Sequence, residues 1–506
     1  MQNDTKGLPL ELRNFFVGPG GHSLILRGNA GTGKTTFALQ MIEELDEIEN
    51  SFYFSTRVSD SLLLTQFPWL AQKVHGRGNG EAVLQEIHKA EAAMRELQGS
   101  SLGIESEEEL APRLWFNKLK LRGAFGFETR AGQSFPQNRV DLAELEKIYS
   151  TVEKCGAKRT LVVVDSVDAL AEACGINQAT VITAVQKDLV EGRKVNIVFL
   201  LESNDRYLDY LGDGVVELDI QEHHRRRLRE INVLKARGCA VQQPKYLFTL
   251  NGARIQAFCD RSEMGSESIR GWKHIGDNGS KVSLGLADLD RLMKGGISPG
   301  SIMLIELGHG VPVGTSTLLE QIIVANFAAQ RRGVLWVPLK KETAESVRHR
   351  ISGMITKESF DRSVRIPEIA SQVEDTNAHY IMPIEGAAAD ADLKWKTVVY
   401  ALREAAPPFL SIMGFDTLES IYGGKTMDQM TDHFTAVKRN KAIFIGLVSP
   451  STRSTERLAD LATHHLKVDR IGGTVILYGV EPFTECNALT VTEGKESTSI
   501  SLVPII

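Results

Sequence analysis

The sequence LILRGNAGTGKTTFALQ, residues 24–40, decides the fold of the first half of this chain. An apolar run typical of a β-strand leads into a glycine-rich loop, and the loop leads into a helical pattern. Glycines at positions 28, 31 and 33 let backbone N–H groups turn inward, and the helix adds the positive end of its dipole. The stretch therefore predicts a phosphate-binding loop.

Two side chains of this loop have predicted roles of their own. The Lys34 ammonium can reach the β- and γ-phosphates of a nucleotide, and the Thr35 hydroxyl can bind the magnesium ion that bridges them. We therefore predict ATP and Mg²⁺ as cofactors. The predicted nucleotide-binding residues are Gly28, Asn29, Ala30, Gly31, Thr32, Gly33, Lys34, Thr35 and Thr36.

A second motif, LVVVDSVDAL at residues 161–170, places Asp165 after an apolar run. Such a run is typical of a buried parallel strand, and open α/β sheets bind ligands at the carboxyl ends of their strands. Asp165 is therefore predicted to hold the magnesium ion through bound water, whereas Asp168 is more typical of a helix cap. An apolar strand at residues 196–203 follows a predicted helix at residues 177–191, and this alternation predicts a doubly wound parallel sheet.

The second half of the chain repeats the opening pattern after a polar stretch at residues 263–280, which predicts a linker. Gly314-Thr315 stands where the first half has Gly-Lys, and Pro312 interrupts the glycine loop. A threonine lacks the charge that a lysine brings to phosphate. A later strand places Asp416 where the first half has Asp165.

The chain is therefore predicted to be an internal duplication with one intact and one degenerate phosphate site. The predicted domains are residues 1–262 and 281–506. Three interpretations of the second domain stay open: a working ATPase site, residual nucleotide binding, and a purely structural domain.

The composition fits a large protein with more than one core. The chain has 506 residues, 42% hydrophobic and 24% charged, with a net charge of −6. No apolar run approaches the roughly 18 residues of a membrane span and no signal peptide opens the chain, so we expect a cytoplasmic protein without membrane contact. Five cysteines without CxxC spacing predict reduced thiols rather than a zinc site. The acidic charge predicts no general nucleic-acid surface.

Several segments together carry a family resemblance. GLADLDRLMKGGISPGS at residues 285–301, the glycine loop, the aspartate strand and RRRLREINVLKARGCAVQQPKYLFTLNGARI at residues 225–255 resemble the KaiC and RadA branch of RecA-like ATPases. The tandem domains and the basic segment HHRRRLRE look like archaeal regulators of gas-vesicle formation, the GvpD type. The resemblance implies an α/β fold of two tandem RecA-like P-loop domains with mostly parallel, twisted sheets. It also implies a homo-oligomer and a regulator that acts through a partner protein.

The resemblance also assigns roles to two cations. KaiC-like proteins place a Lys-x-Arg-Gly segment on a strand whose side chains reach the γ-phosphate bound to a neighbouring subunit, and Lys235 and Arg237 match it. An arginine on the transferring phosphate raises rates strongly where it operates. The alternative is a pair of solvated cations on an alternating strand. The corresponding segment of the second half, residues 472–479, has no such pair.

The sequence departs from the family after the second strand of the first domain, where paired glutamates usually orient the attacking water. Thr56 and Arg57 stand there instead, and neither is a carboxylate base. We therefore predict slow hydrolysis, or a water positioned by another carboxylate such as Glu202 or Glu128. Arg57 could pair with phosphate or form a surface salt bridge. The predicted catalytic residues are Lys34, Asp165, Glu202, Lys235 and Arg237.

Two further regions are candidates for partner binding. HHRRRLRE, residues 223–230, has four arginines and two histidines, enough for a local anion-binding edge. Nucleic acid, an acidic partner protein and a plain solvated strand remain open interpretations, and we favour a protein partner bound through Arg225 to Arg229. The long insertion at residues 71–138 is the second candidate.

The predicted function is an ATP-dependent regulatory switch with weak hydrolysis. One alternative is a RadA-related ATPase of DNA recombination or repair, which the acidic net charge disfavours. The other is a KaiC-like clock or signalling ATPase, which the missing glutamates and the missing second lysine disfavour.

Overall fold

The computed structural model describes residues 7–45, 47–55, 159–202, 206–260, 271–339, 342–372, 378–386, 392–493 and 498–506, with a few single positions at 63, 65–67, 69, 152 and 269. The chain divides into two compact units. The first comprises Met1–Glu222, Leu228–Phe258 and Ile506, and the second comprises His223–Arg227 and Cys259–Ile505.

The first unit has helices on both faces of one sheet. Its described helices are α1 (Leu10–Val17), α2 (Lys34–Glu44), α3 (Val167–Cys174) and α4 (Gln178–Val185), the last continuing as a π-helical segment over Gln186–Glu191. Its strands are β1 (Ser23–Arg27), β2 (Asn50–Ser55), β3 (Thr160–Asp165), β4 (Asn196–Leu201), β5 (Gly214–His223), β6 (Arg226–Ala236), β7 (Lys245–Thr249) and β8 (Gln256–Phe258).

The sheet of the first unit has the order β2-β3-β4-β1-β5-β6-β7-β8. Strands β2, β3, β4, β1 and β5 run parallel, and β6, β7 and β8 continue the sheet as an antiparallel meander. The chain order departs from the spatial order because β3 and β4 lie between β2 and β1. The carboxyl ends of β3, β4 and β1 therefore meet at one edge, where such sheets bind ligands.

The two faces of this sheet bury two separate cores. Leu24 and Leu26 of β1 pack with α2, whereas Ile25 between them packs with α3 and α4. Side chains alternate between faces along a strand, so a strand covered on both faces is a continuous apolar run. That run in β1 is the apolar stretch from which the sequence predicted this strand.

The second unit repeats this architecture with a longer sheet. Its described helices are α5 (Ala287–Leu292), α6 (Val313–Ala329), α7 (Ala344–Ile351), α8 (Lys357–Ser363), α9 (Trp395–Ala401), α10 (Phe415–Tyr422), α11 (Thr426–Arg439) and α12 (Thr455–Leu461). Its strands are β9 (Ile302–Leu307), β10 (Arg332–Val337), β11 (Val364–Ile369), β12 (Ile381–Ile384), β13 (Ala406–Gly414), β14 (Ile443–Val448), β15 (His464–Ile471), β16 (Thr474–Glu481), β17 (Asn487–Glu493) and β18 (Thr498–Pro504).

Its sheet has the order β12-β11-β10-β13-β14-β9-β15-β16-β17-β18. The strands from β12 to β15 run parallel, and β16, β17 and β18 are antiparallel. Both units are thus mostly parallel α/β sheets with an antiparallel extension. This confirms the predicted fold class of tandem RecA-like domains.

Candidate functional site

The loop between β1 and α2 has the backbone of a phosphate-binding loop. Gly28, Gly31 and Gly33 all have positive φ, at 154°, 79° and 104°. A side chain on Gly28 would place its Cβ 2.3 Å from the Leu218 carbonyl oxygen, so this position requires glycine. The glycines of the motif therefore serve both the turn and a close approach to β5.

Lys34 is the first residue of α2, and its side chain folds back over this loop. Its Nζ donates to the carbonyl oxygens of Gly28, at 2.7 Å, and Asn29, at 3.0 Å. The residue is only 8% exposed. Its ammonium is therefore held inside the loop, where a nucleotide phosphate would lie in P-loop proteins.

Thr35 and Asp165 meet at the carboxyl edge of the sheet. The Thr35 hydroxyl donates to the Asp165 carboxylate at 3.0 Å, although 130 positions separate the two residues in sequence. Asp165 is the last residue of β3, as the apolar run predicted. Hydroxyl and carboxylate oxygens are the ligands that Mg²⁺ prefers, so the donor set fits this ion.

Tyr53 is a member of this site that the sequence analysis missed. Its hydroxyl donates to the same Asp165 oxygen that Thr35 contacts. Burial and the neighbouring Asp165 carboxylate both raise the pKa of Tyr53, so its hydroxyl keeps its proton. In sequence it is one aromatic residue of a β-strand, and only the register of β2 against β3 places it beside Asp165.

Glu202 follows β4, the strand that lies between β3 and β1. Its backbone N–H donates to the Asp168 carboxylate at 2.7 Å, and Asp168 also accepts from Gln178. Asp168 therefore fixes the end of β4, and the expectation that it caps a helix is wrong. Ser166 caps α3 instead, through a hydrogen bond from the Ala169 N–H.

Lys235 and Arg237 lie at the opposite edge of the sheet. Lys235 Nζ donates to the Gly212 carbonyl oxygen at 2.6 Å, and Arg237 pairs with Asp213 at 2.9 Å. Because β5 starts just after Asp213, this edge is remote from the carboxyl ends that carry the loop. The Arg237 side chain is 67% exposed.

The arginine segment does not form one continuous exposed edge. Arg225 and Arg227 are exposed, whereas Arg226 and Arg229 are buried. Within the second unit, the Arg226 guanidinium lies over the Tyr478 ring and donates to the Thr484 carbonyl oxygen at 2.6 Å. Two of the four arginines in the predicted partner-binding segment are therefore committed to contacts inside the protein.

The second unit lacks the lysine that marks the first site. Helix α6 begins at Val313, so Gly314 and Thr315 lie inside its first turn. Thr315 is fully buried and its hydroxyl has no hydrogen-bond partner among the described residues. Asp416 does not end a strand as Asp165 does, because β13 ends at Gly414 and Asp416 lies in the first turn of α10.

A buried carboxyl group sits on α6 in this second unit. Glu320 is 3% exposed and accepts a hydrogen bond from the Trp336 Nε1 at 2.8 Å. Burial raises the pKa of Glu320 to about 7, well above its usual 4.5. The carboxyl therefore titrates near neutral pH, on the helix that follows the altered loop.

We expect Glu320→Gln to flatten the pH dependence of the protein's stability. A raised pKa means that the folded state binds the proton more tightly, so its contribution is full below about pH 4.5 and is lost as the pH rises through about 7. The shift corresponds to about 3 kcal/mol. Thermal unfolding at several pH values checks this, with the exposed Glu345→Gln as control. Equal pH profiles for the wild type and Glu320→Gln would contradict the assignment.

Several predicted residues lie outside the described part of the chain. These are Thr56, Arg57, Glu128 and the insertion at residues 71–138. None of the described helices is long and apolar enough to cross a membrane.

Together, the glycine loop, Lys34 and the contact between Thr35 and Asp165 define a P-loop α/β protein. The model of the GvpD gas vesicle protein P-loop domain matches residues 12–234. Protein GvpD2 of Halobacterium salinarum is 22% identical over 517 aligned residues, which cover 98% of this chain and 96% of the relative. Protein GvpD1 of the same organism is 21% identical with the same coverage.

A third relative extends the comparison beyond this group. The circadian clock oscillator protein KaiC of Prochlorococcus marinus is 24% identical over 379 residues, covering 71% of this chain and 64% of the relative. The chain is a GvpD- and KaiC-like P-loop protein, which confirms the resemblance predicted from its motifs.

Proposed function

We propose that this protein is an ATP-binding, slowly hydrolysing regulatory switch that acts through a partner protein. The observation that carries the proposal is the contact between the Thr35 hydroxyl and the Asp165 carboxylate beside a loop that encloses Lys34. This arrangement suits a nucleotide triphosphate with a bound magnesium ion. The proposal also draws on the near full-length similarity to the GvpD proteins.

Magnesium would be held by Thr35 and, through water, by Asp165. When bound, the ion neutralises charge on the phosphate oxygens. Tyr53 donates to Asp165 and keeps that carboxylate oriented toward Thr35. Lys34 would leave its two carbonyl partners and bind phosphate, because a charged partner binds an ammonium more strongly than a carbonyl does.

The candidates for the chemical step lie on both edges of the sheet. Glu202 directly follows β4, which lies between the two strands of the site, and we assign it to orient the attacking water. Thr56 and Arg57 stand where the family has glutamates, which is why we propose slow turnover.

Lys235 and Arg237 are proposed to act on the nucleotide of a neighbouring copy. On the same strand, Lys235 lies six residues beyond Arg229, which contacts the loop, and six residues of a strand span roughly 20 Å. Neither cation can therefore reach the phosphate site of its own chain. This separation supports a homo-oligomer with nucleotide at its interfaces.

The partner is proposed to be an acidic protein surface bound through Arg225 and Arg227. Both arginines are exposed, Arg225 in the turn between β5 and β6, where it and His224 have positive φ, and Arg227 at the start of β6. Arg226 and Arg229 are excluded from this role by their burial. A clock-like activity has less support, because the second unit lacks the loop lysine.

The experiment that tests the nucleotide site compares the two halves of the chain. Lys34→Ala should weaken ATP binding about 10-fold to 150-fold, since a charge-assisted contact of roughly 1.5–3 kcal/mol is lost. Thr315→Val should leave ATP affinity unchanged, because it replaces a buried hydroxyl that has no partner among the described residues. Isothermal calorimetry measures both, and equal losses would contradict the assignment of binding to the first unit.

Stimulation by DNA separates this proposal from a recombination ATPase. We expect slow turnover that single-stranded DNA does not change, because the net charge is −6 and two of the four segment arginines are buried. Phosphate release from purified protein, with and without single-stranded DNA, measures this. A many-fold stimulation would favour the RadA-like alternative.

A further inference from the structure

Arg229 belongs by sequence to the arginine segment, but its side chain contacts the phosphate-binding loop. It lies on β6 and is 9% exposed. Its Nη1 donates to the Gly31 carbonyl oxygen at 3.0 Å and approaches the Thr32 carbonyl oxygen at 3.5 Å. Its Nε donates to the Ile506 carbonyl oxygen at 2.7 Å. The guanidinium therefore binds the loop through its carbonyl oxygens.

The strand pattern explains why this arginine reaches the loop. Side chains at every second position of a strand point to the same face, so Arg229 shares one face of β6 with Ile231 and Val233. Ile231 and Val233 pack in the core that contains α2. Arg229 is the member of this row at the loop edge of the sheet. A long side chain there can extend from the core to the loop that precedes α2.

The Gly31–Thr32 peptide is held at both of its ends. Its carbonyl accepts from Arg229, and its N–H, that of Thr32, donates to the Asn29 carbonyl oxygen at 3.3 Å. In a planar trans peptide the C=O and N–H point in opposite directions, so fixing one end fixes the other. Arg229 thereby locks the tight turn of the loop.

The next peptide of the loop is oriented in the same way. The Thr32 carbonyl faces Arg229 at 3.5 Å, so the Gly33 N–H of that peptide points away from the guanidinium. Loops of this kind bind phosphate with such inward N–H groups. The fixed positive charge behind the peptide dipoles also increases the positive potential on the phosphate side.

We propose that Arg229 is a positioning residue that preorganises the loop for the polyphosphate of a nucleotide without touching it. The inference rests on the proposed function, because it names a further determinant of the same site. A flexible loop must be ordered when phosphate binds, and that ordering weakens affinity. By holding the Gly31 and Thr32 carbonyls before phosphate binds, Arg229 lowers the entropy that the loop loses on binding.

The test compares Arg229→Lys with a matched variant, Arg226→Lys. Both arginines are buried and donate to backbone carbonyls, but the described contacts of Arg226 are with Gly479, Thr484 and His224 rather than the loop. A lysine keeps the charge but lacks the planar guanidinium, whose separate Nη1 and Nε donors hold the Gly31 and Ile506 carbonyl oxygens in a fixed geometry. The probes are Mg·ATP and inorganic pyrophosphate, measured by calorimetry on the full chain.

We expect Arg229→Lys to weaken both probes by a similar factor, about 10-fold, because both are held through the same phosphate groups. Arg226→Lys should leave both affinities unchanged. Equal unfolding temperatures for the two variants would show that the difference is not a general loss of structure. If Arg229→Lys does not fold, Arg229→Gln is compared with Arg226→Gln in the same way, since glutamine removes the charge and the guanidinium but keeps an amide donor.

The possible failures are distinguishable. Wild-type affinity in Arg229→Lys, together with a loss in Lys34→Ala, overturns the role of Arg229 and leaves the proposed function standing. Equal losses in Arg229→Lys and Arg226→Lys also overturn the role, because they point to general destabilisation. A wild-type protein that binds neither probe overturns both the proposed function and this inference.

Discussion

Replacing Glu202 with glutamine is expected to lower ATP turnover by about 10²-fold to 10⁴-fold, the usual effect of losing a general acid–base group. Strand β4 lies between β3, which carries Asp165, and β1, which leads into the phosphate loop. The carboxyl end of β4 therefore lies between the strand that carries Asp165 and the strand that leads into the loop. The hydrogen bond from the Glu202 N–H to Asp168 fixes that end of the strand.

The affinity for ATP should remain unchanged in Glu202→Gln, since glutamine keeps the size of the side chain and Lys34 is untouched. Single-turnover hydrolysis and calorimetry on the same sample separate the two effects. Glu191→Gln, at the exposed end of the π-helical segment, is the matched control and should behave as wild type. Unchanged turnover in Glu202→Gln would place the water-orienting group elsewhere in the chain.

The sequence predicted those parts of the site whose residues are contiguous in the chain. The apolar run, the glycines and Lys34 are contiguous, so the strand, the loop and the first turn of α2 follow from one stretch. Asp165 was predictable because a buried parallel strand delivers its last residue to the ligand edge. The altered loop of the second unit was equally visible, since the missing lysine is a single position.

The remaining residues depend on register and on burial, which a local pattern does not contain. Tyr53 reaches Asp165 only because β2 pairs with β3 so that Ser55 lies opposite Asp165. Arg227 and Arg229 belong to the same short arginine-rich segment. Arg229 is nevertheless buried against the loop, whereas Arg227 is exposed. A run of arginines indicates a charged segment, but what packs beside each position of β6 decides which arginines are buried, since Arg229 has the phosphate-binding loop beside it.

Asp168 illustrates a third reason for error. An aspartate in the first turn of a helix is typical of a cap, and the sequence offered no other partner. In the structure Ser166 takes the cap, and Asp168 is free to bind the backbone of Glu202, which lies 34 positions away. Ser166 and Asp168 could each have capped α3. The end of β4, whose Glu202 N–H binds Asp168, decides which of them does.

Arg237→Ala is expected to lower turnover by about 10³-fold if the arginine stabilises the phosphate of a neighbouring copy, as arginine fingers do. The fold should tolerate this change. Asp213, which pairs with Arg237, also accepts hydrogen bonds from the N–H and hydroxyl of Ser23, so its carboxylate keeps two donors. Arg237 is exposed although Asp213 is nearly buried, so water screens the pair, which contributes on the order of 0.2–1 kcal/mol.

Because a finger in trans acts only at an interface, ATP binding and assembly must strengthen each other. ATP should therefore favour the larger species in the wild type, and Arg237→Ala should uncouple assembly from ATP while the affinity of the monomer for ATP stays intact. Arg254→Ala is the matched control, a half-exposed arginine of the same unit that pairs with the Glu43 carboxylate and lies over the Trp69 ring. Light scattering that finds a monomer with and without ATP, well above the dissociation constant of the nucleotide, would exclude action in trans. Lys235 and Arg237 would then serve only to hold the turn at Gly212 and Asp213.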